Sequence, residues 1–318
     1  MEVLAVLPHS IGGRLTTKSI IDGFVLLGHK VTLFDELKES VDVFNNYLIS
    51  RSFDLLVGYD FSPIALKTQS NVDIQTVCYF SDLIKSPQAG FGCQKYYEHL
   101  KDSSNYIFYW DKADTELLKN EIPNLFYLPH FVNVDVYKNN GVERKYDIMF
   151  AGRLDYGDRL NWFLNILKEF SDKNIAWFAI NKHFEDAKSK SSEEEKLLLE
   201  KAYKGFIDEE AQMAEVLNNS KIVVNVHSQG KSAVNYRTFQ AMACGCVVIS
   251  DFQTEMQELF STDRDMVIYE DNDELYKKIR LYLSDHSLFS KVSTSAVKTV
   301  NMKYSSTVGV SKILEVIK

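Results

Sequence analysis

The chain has 318 residues, of which 45% are hydrophobic, and a formal net charge of −8 at pH 7. This length predicts two domains, each with its own core, and the composition excludes a disordered or fibrous chain. The negative charge offers no general attraction to nucleic acid or anionic lipid, so we expect no nucleic acid partner.

The same features bear on location. No apolar run approaches the roughly 20 residues that span a bilayer, which leaves only peripheral membrane contact open. The first residues lack the basic start and long apolar stretch of a signal peptide. Four scattered cysteines in a chain of this size are typical of a reducing compartment. We therefore predict a cytoplasmic protein.

The first part of the chain alternates strand-like and helix-like patterns. Between the first two predicted strands, Ile20, Phe24 and Leu27 recur at helical spacing, and Gly28 supplies a stop. Strands that alternate with helices imply a parallel sheet with right-handed crossovers. The predicted strands of this part are Val3–Leu7, Lys30–Phe34, Asp54–Gly58, Ile74–Tyr79, Tyr106–Tyr109 and Leu125–Leu128.

The pattern restarts after the polar stretch Lys138–Lys145, which we interpret as a linker. Asp158 is expected to cap an amphipathic helix, and the charged segment Glu185–Lys204 is expected to form a solvated helix. Later helices are predicted over Asp273–Leu283 and Ser306–Ile317. The predicted strands of this part are Tyr146–Ala151, Ala176–Ile180, Lys221–Val226, Cys246–Ser250 and Met266–Tyr269.

These patterns predict an α/β protein with two Rossmann-like, doubly wound parallel-sheet domains that face a central cleft. We predict an N-terminal domain over residues 1–140 and a C-terminal domain over 141–300. The helix in 301–318 is expected to pack back toward the N-terminal domain. Ligands bind such sheets at the carboxyl ends of the strands, so the candidate site residues are sought there.

The most informative segment is a helix that follows a buried strand and a polar loop. Asn235 lies at the helix start, where free N–H groups and the helix dipole favour an anion. Arg237 and Gln240 are three residues apart and project from one face. Arginine binds phosphate oxygens through two nitrogens, and a glutamine can accept from a sugar hydroxyl, so this set suits a diphosphate joined to a ribose. The alternative is a capped surface helix with an ordinary arginine.

The run Asn235-x-Arg237-Thr-Phe239-Gln-Ala241-Met-Ala243-Cys-Gly245 resembles the donor-site motif of GT-B glycosyltransferases. It is most similar to the spore-maturation-protein branch, whose pattern is Asn-x-Arg-x-Phe-Glu-Ala-x-Ala-x-Gly. The resemblance covers about residues 145–300. It implies a GT-B fold and sugar transfer from a nucleotide-diphosphate sugar without a bound metal. Two positions depart from larger GT-B families, because Ser232 and Gln240 stand where those families carry glutamates.

Further donor-site residues follow from the strand ends of the second half. Gly152 and Arg153 follow a predicted strand, where a glycine permits close approach of a ligand, and Arg159 opens the next helix. Gly152 and Arg159 match the family pattern, and Arg153 resembles the Gly-Arg of larger GT-B families. His227 and Ser228 end another buried strand and are also candidates. Tight turns with surface arginines and a core histidine remain the alternatives.

The first half contributes candidates for the acceptor side. Gly12 and Gly13 form a strand-to-helix turn that can approach a ligand, and the resemblance implies that this loop faces the donor. If the enzyme inverts, a carboxylate or histidine of this half must take the acceptor proton, and Asp82 and His9 are the candidates. Asp82 could equally cap the following segment. A retaining enzyme needs no such base.

We expect transfer of a sugar to a hydroxyl of a saccharide, lipid-linked saccharide or protein, with no cofactor. The alternatives are a nucleotide-diphosphate-sugar epimerase of the same architecture and a non-catalytic two-domain sugar-binding protein. Two Asp-x-Asp triplets, Asp263-Arg-Asp265 and Asp271-Asn-Asp273, resemble metal-binding pairs. We interpret them as loop and cap residues and predict no metal site.

Overall fold

The computed structural model of the protein describes residues 1–81, 84, 93–227 and 232–317. Its internal contacts divide the chain into two compact units. The first unit comprises Met1–Asn133, Gln229–Tyr236 and Lys303–Lys318, and the second comprises Val134–Ser228 and Arg237–Met302. Each unit contains one parallel sheet with helices, as predicted.

The first unit is built on a six-stranded sheet in the order β2-β1-β3-β4-β5-β6. Every adjacent pair of its strands is parallel. The central strands are almost entirely buried, which agrees with their continuous apolar sequences. The strands are β1 (Glu2–Leu7), β2 (Lys30–Asp35), β3 (Leu55–Tyr59), β4 (Thr76–Phe80), β5 (Asn105–Tyr109) and β6 (Leu125–Tyr127).

Where the structure describes this unit, five α-helices and one 3-10 helix accompany the sheet. They are α1 (Ile11–Leu26), α2 (Val41–Ser50), α3 (Ser62–Ser70), the 3-10 helix Cys93–Lys101, α4 (Lys112–Leu118) and α13 (Ser306–Val316). Helix α13 comes from the end of the chain and packs on α1. Gly23 of α1 makes this possible, because a Cβ atom there would overlap Val310 and the backbone of Ser306.

The second unit is built on a five-stranded parallel sheet in the order β11-β10-β9-β7-β8. Its core packs aromatic side chains such as Phe163 and Trp177 against the sheet. The strands are β7 (Tyr146–Ala151), β8 (Ile175–Phe178), β9 (Ser220–Asn225), β10 (Val247–Asp251) and β11 (Val267–Tyr269). The fold class predicted from the sequence is confirmed for both sheets.

The described residues of this unit form eight helices, although two terminal helix residues, Tyr236 and Lys303, are assigned to the first unit. They are α5 (Arg159–Glu169), α6 (Asn181–Ser189), α7 (Glu193–Ala202), α8 (Glu210–Asn218), α9 (Tyr236–Ala243), α10 (Met256–Leu259), α11 (Asn272–Ser284) and α12 (His286–Lys303). Gly245 follows the end of α9: its φ is +73°, and a Cβ atom there would lie 2.7 Å from Asn139 Nδ2.

The structure corrects the prediction of a single solvated helix over Glu185–Lys204. The segment contains the end of α6 and all of α7, which begins in a capping box between Ser192 and Glu195. Phe184 and Leu199 are buried against the core, because the charged residues occupy only the opposite faces. Within the described part of the chain, no helix is both long and apolar enough to cross a membrane.

Candidate active site

The candidate donor residues of the second unit lie at one edge of its sheet. Gly152 and Arg153 follow β7, His227 lies two residues beyond β9, and Asp251 is the last residue of β10. Because the strands are parallel, their carboxyl ends share this edge. The local sequence thus places polar side chains directly after buried strands, where helices begin.

A cavity of about 190 Å³ opens at this edge, beside the ends of β7 and β8. It brings Gly152 and Arg153 together with Arg237, which lies more than 80 residues later in the chain. Most of its wall is apolar, and Phe206 is 43% exposed. The complete lining is Ala151, Gly152, Arg153, Phe178, Ala179, Ile180, His183, Phe206, Ile207, Met213 and Arg237.

Arg153 is paired with a carboxylate in this structure. Its Nε and Nη2 donate to Asp155 at 2.9 and 2.5 Å, and its guanidinium lies 4.4 Å from the centre of the Tyr156 ring. This hydrogen-bonded pair lowers the pKa of Asp155 to about 2. The side chain of Arg153 is nevertheless 45% exposed, so a ligand phosphate can reach it.

Arg159 is the first residue of α5 and lies deeper than Arg153. Its Nη2 donates to the Val226 carbonyl oxygen at 2.5 Å. Burial lowers the pKa of the guanidinium, and the charge of Asp251 opposes that shift. Its buried Nε has no hydrogen-bond partner among the described residues, and Arg159 does not line the cavity. The structure thus places Arg159 beside the carboxyl end of β9.

The cap predicted for this helix differs in detail. Asp158 occupies the N-cap position but makes no side-chain hydrogen bond to the backbone. Its ψ of 18° departs from the extended conformation of a typical N-cap, and its carboxylate accepts instead from the Asn161 side chain at 2.6 Å.

Arg237 and Gln240 form a hydrogen-bonded pair on α9. Nη1 of Arg237 donates to Oε1 of Gln240 at 2.6 Å, and Nε2 of Gln240 donates to the Tyr137 hydroxyl at 2.6 Å. Gln240 is fully buried, whereas Arg237 is half-buried and lines the cavity. Gln240 therefore supports Arg237 from the core, and its predicted contact with a ribose stays a prediction.

His227 is held by Asp251. The carboxylate accepts from the backbone N–H of His227 at 2.9 and 3.0 Å, and its Oδ1 lies 2.6 Å from Nδ1 of the ring. A carboxylate at this distance favours the tautomer with the proton on Nδ1, so Nε2 carries the lone pair of the neutral ring. The other candidate in this loop, Ser228, lies outside the described residues.

The comparisons with known proteins agree with this geometry. Residues 177–315 match the model of a family described as glycosyl transferase-like. No curated protein sequence matches the chain significantly. Three similar solved structures are sucrose-phosphate synthase from Thermosynechococcus elongatus, the Anabaena protein HepE in complex with UDP and glucose, and an α-glucosyltransferase in complex with UDP and a 13-mer DNA.

Their identities to this chain are 12%, 12% and 15%, and their TM-scores are 0.72, 0.69 and 0.72. The alignments cover 99%, 99% and 100% of this chain and 98%, 98% and 99% of the other chains. At these identities the solved structures show the fold alone, and the family match is confined to residues 177–315. The chain has the GT-B fold.

Two further positions of the glycosyltransferase motif lie at the start of α9. Asn235 directly precedes the helix, as predicted, and is half-buried. Ser232 is 4% exposed, and its hydroxyl donates to Asp111 Oδ1 at 2.9 Å within the first unit. Asp111 also caps α4 by accepting from the Asp114 N–H. Ser232 thus has a structural partner where larger GT-B families carry a glutamate.

The glycine turn of the first unit begins helix α1. Ser10 caps this helix by accepting from the Gly13 N–H, and a Cβ atom on Gly13 would lie 2.7 Å from the Tyr59 ring. A Cβ atom on Gly12 would meet nothing within 4 Å, so Gly12 borders open space. His9 is exposed, with Nδ1 3.2 Å from Glu36 Oε2. The other catalytic candidate of the first half, Asp82, lies outside the described residues.

His130 is a core residue of the first unit. It is 3% exposed, its Nδ1 lies 3.1 Å from the Tyr79 hydroxyl, and its ring packs near Trp110 and Tyr236. Burial lowers the pKa of His130 to about 3, so the ring is neutral at physiological pH.

Both Asp-x-Asp triplets have local partners. Asp271 caps α11 by accepting from the Glu274 N–H at 2.8 Å. Asp265 is 2% exposed and accepts from the Ser261 N–H and the Ser295 hydroxyl. Over the ranges that the structure describes, no group of three or more His, Cys, Asp or Glu side chains is arranged to hold a metal ion.

Sequence reasoning missed several residues around the cavity. His183 lines it from the first turn of α6, and burial followed by the charge of Arg153 lowers the pKa of this ring. The sequence could have indicated His183, because it lies just beyond β8, at the edge of the sheet where the other candidates were sought. Phe206 lies in an irregular segment, and Tyr137 lies far from α9 in sequence, so no local pattern marks either of them.

Proposed function

We propose that the cavity of the second unit binds the nucleotide of a nucleotide-diphosphate sugar. The observation that carries this proposal is the convergence of an apolar wall and two arginines at the carboxyl edge of a parallel sheet. An apolar wall suits a nucleobase, and guanidinium groups suit phosphate oxygens. Phe206, partly exposed at the cavity, offers a ring face for stacking.

We further propose UDP as the first nucleotide to test, because two of the similar structures contain it. Arg237 is half-buried beside the cavity and Arg153 is partly exposed, so both can approach a diphosphate. Positive charge on these groups would stabilise the leaving diphosphate as the sugar is transferred. The acceptor is proposed to be a hydroxyl of a saccharide, lipid-linked saccharide or protein. A nucleic acid acceptor is not proposed, because the chain is acidic.

Proton transfer from the acceptor is proposed to involve the first unit if the reaction inverts. His9 is exposed at the carboxyl end of β1, and Asp82 is the carboxylate expected after β4. Separate His9→Ala and Asp82→Asn variants should then lower kcat and leave the Kd for UDP unchanged. Full activity in both variants would indicate that neither group is the base.

Transfer is proposed to proceed without a metal ion, since arginines already face the expected diphosphate and both aspartate triplets have structural partners. Buried, unpaired thiols at Cys78, Cys244 and Cys246 support a cytoplasmic location, where thiols stay reduced. The metal proposal is tested by turnover before and after exhaustive EDTA treatment. Activity that is lost with EDTA and restored by manganese or magnesium would contradict it.

The central experiment is a thermal-shift screen with UDP, GDP, dTDP and ADP. A ligand at about 100 times its Kd should stabilise the protein by roughly 2.7 kcal/mol. If all four leave the melting temperature unchanged at millimolar concentration, the donor-site assignment is wrong. Product analysis with a labelled UDP-sugar, with and without candidate acceptors, then distinguishes transfer from epimerisation and from binding alone.

A further inference from the structure

A second cavity of the second unit lies at the amino end of β8, whereas the donor cavity lies at the carboxyl end of this strand. Its volume is about 270 Å³, and its floor is formed by apolar side chains of α5, β8 and α7. Three lysines also line it, Lys173, Lys201 and Lys204. Lys173 pairs with Asp172, but Lys201 and Lys204 donate only to backbone carbonyl oxygens among the described residues. The cavity therefore suits an apolar group that is flanked by acidic side chains.

The exposed face of α7, directly beside this cavity, carries such a group. Leu197 is 67% exposed, whereas Leu198 and Leu199 pack against the core. Glu194 lies three residues before Leu197 and Lys201 lies four residues after it, so these three side chains share one face of the helix. The other three glutamates of α7 each pair with a lysine, but Glu194 has no ion-pair partner among the described residues.

The order of charges along this face makes it complementary to itself. Glutamates begin α7 and Lys201 lies in its last turn, as the helix dipole favours. Two copies of α7 that lie antiparallel, centred between Leu197 and Leu198, place Glu194 of one copy opposite Lys201 of the other. A two-fold axis repeats each contact, so the same patch serves both copies. The lysine-lined cavity then faces Leu197 and Glu194 of the second copy.

We propose that the exposed face of α7 binds a second copy of this chain. Leu197 of each copy is seated at the cavity of the other, and Glu194 pairs with Lys201 across the interface. Helix α7 has 10 residues and is about 15 Å long, so the contact is small and the dimer is weak and reversible. The inference is independent of the proposed function, because the described linings of the two cavities share no residue.

The test measures the mass of the full chain by sedimentation velocity at concentrations from about 1 to about 100 µM. The average mass of the wild-type protein should rise with concentration toward twice the monomer mass. Leu197→Asp should raise the Kd of the dimer about tenfold or more, because the interface loses a buried leucine and gains a carboxylate beside Glu194. Leu117→Asp is the matched control, since Leu117 is 62% exposed on α4 of the first unit, and it should leave the Kd unchanged.

Charge reversal tests the antiparallel pairing. Glu194→Lys and Lys201→Glu should each weaken the dimer several-fold, because each places like charges opposite one another. The double variant restores opposite charges and should return the Kd to within about twofold of the wild-type value. Both residues are exposed, so circular dichroism should show folded variants. A wild-type chain that stays monomeric at about 100 µM would overturn the proposal. So would a dimer that Leu197→Asp leaves unchanged, or single reversals whose loss the double variant does not recover.

Discussion

Arg144 lies between β6 and β7, and its guanidinium holds together two helix ends of the second unit. It donates to the carbonyl oxygens of Leu217 at 3.2 Å, Ser220 at 2.5 Å, Cys244 at 2.9 Å and Gly245 at 3.0 Å. These carbonyls lie at or just beyond the carboxyl ends of α8 and α9, where the helix dipole favours a cation. Arg144→Met should therefore destabilise the second unit.

The magnitude follows from the four hydrogen bonds. At about 1 kcal/mol each, they would contribute about 4 kcal/mol to the free energy of unfolding. Water can replace some of these hydrogen bonds in the variant because Arg144 is only half-buried. We expect a loss of about 3 kcal/mol for Arg144→Met. Arg144→Lys keeps the charge but not the fork of donors, so it should lose about half as much.

The assay is urea denaturation followed by tryptophan fluorescence, because Trp162 and Trp177 both lie in the second unit. Arg280→Met is the control: Arg280 forms a surface ion pair with Glu169 and should contribute less than about 1 kcal/mol. If Arg144→Met unfolds at the same urea concentration as Arg280→Met, the guanidinium does not stabilise the two helix ends.

Three other predictions follow. Arg237→Ala should raise the Kd for UDP about tenfold or more while the protein stays folded, and unchanged affinity would remove Arg237 from the donor site. His130 stays neutral in the folded state but is protonated in the unfolded state below about pH 6.5. The free energy of unfolding should therefore fall on acidification, by up to roughly 1.4 kcal/mol per pH unit between about pH 6 and the folded-state pKa of about 3. Urea midpoints against pH should show a shallower acid slope in His130→Leu, and equal slopes would contradict the assignment. Gly13→Ala should destabilise the protein by about 1–3 kcal/mol because the new Cβ atom would overlap Tyr59, whereas Gly12→Ala should change stability by less than about 1 kcal/mol. Equal urea midpoints for the two variants would disprove the close packing at Gly13.

The sequence predicts the eleven strands of the described residues to within two residues at each end, because each is a short apolar run beside a turn signal. The charged segment around α6 and α7 was harder to interpret. Its acidic and basic residues dominate the composition, whereas burial there depends on a few apolar positions such as Phe184 and Leu199.

For the candidate site, sequence position predicts which residues reach the strand ends but not what they contact. The three-residue spacing of Arg237 and Gln240 correctly places them side by side. Whether the amide faces a ligand or the core depends on Tyr137, which is 103 residues away in the chain. The partner of His227 likewise comes from the next strand, at Asp251. Such pairings arise only when the chain has folded.

The helix pair α1 and α13 has a consequence for protein synthesis. The first unit begins to form within the opening 133 residues. To be complete, it also needs α13 to pack on α1 at Gly23 and Ser305 to pair with Val132. Translation delivers these partners only after the whole second unit has been made. Until then, the face of α1 that receives α13 lacks its cover. The nascent chain must therefore carry an unfinished first unit while the second unit is made, and the first unit becomes complete only after α13 has left the ribosome.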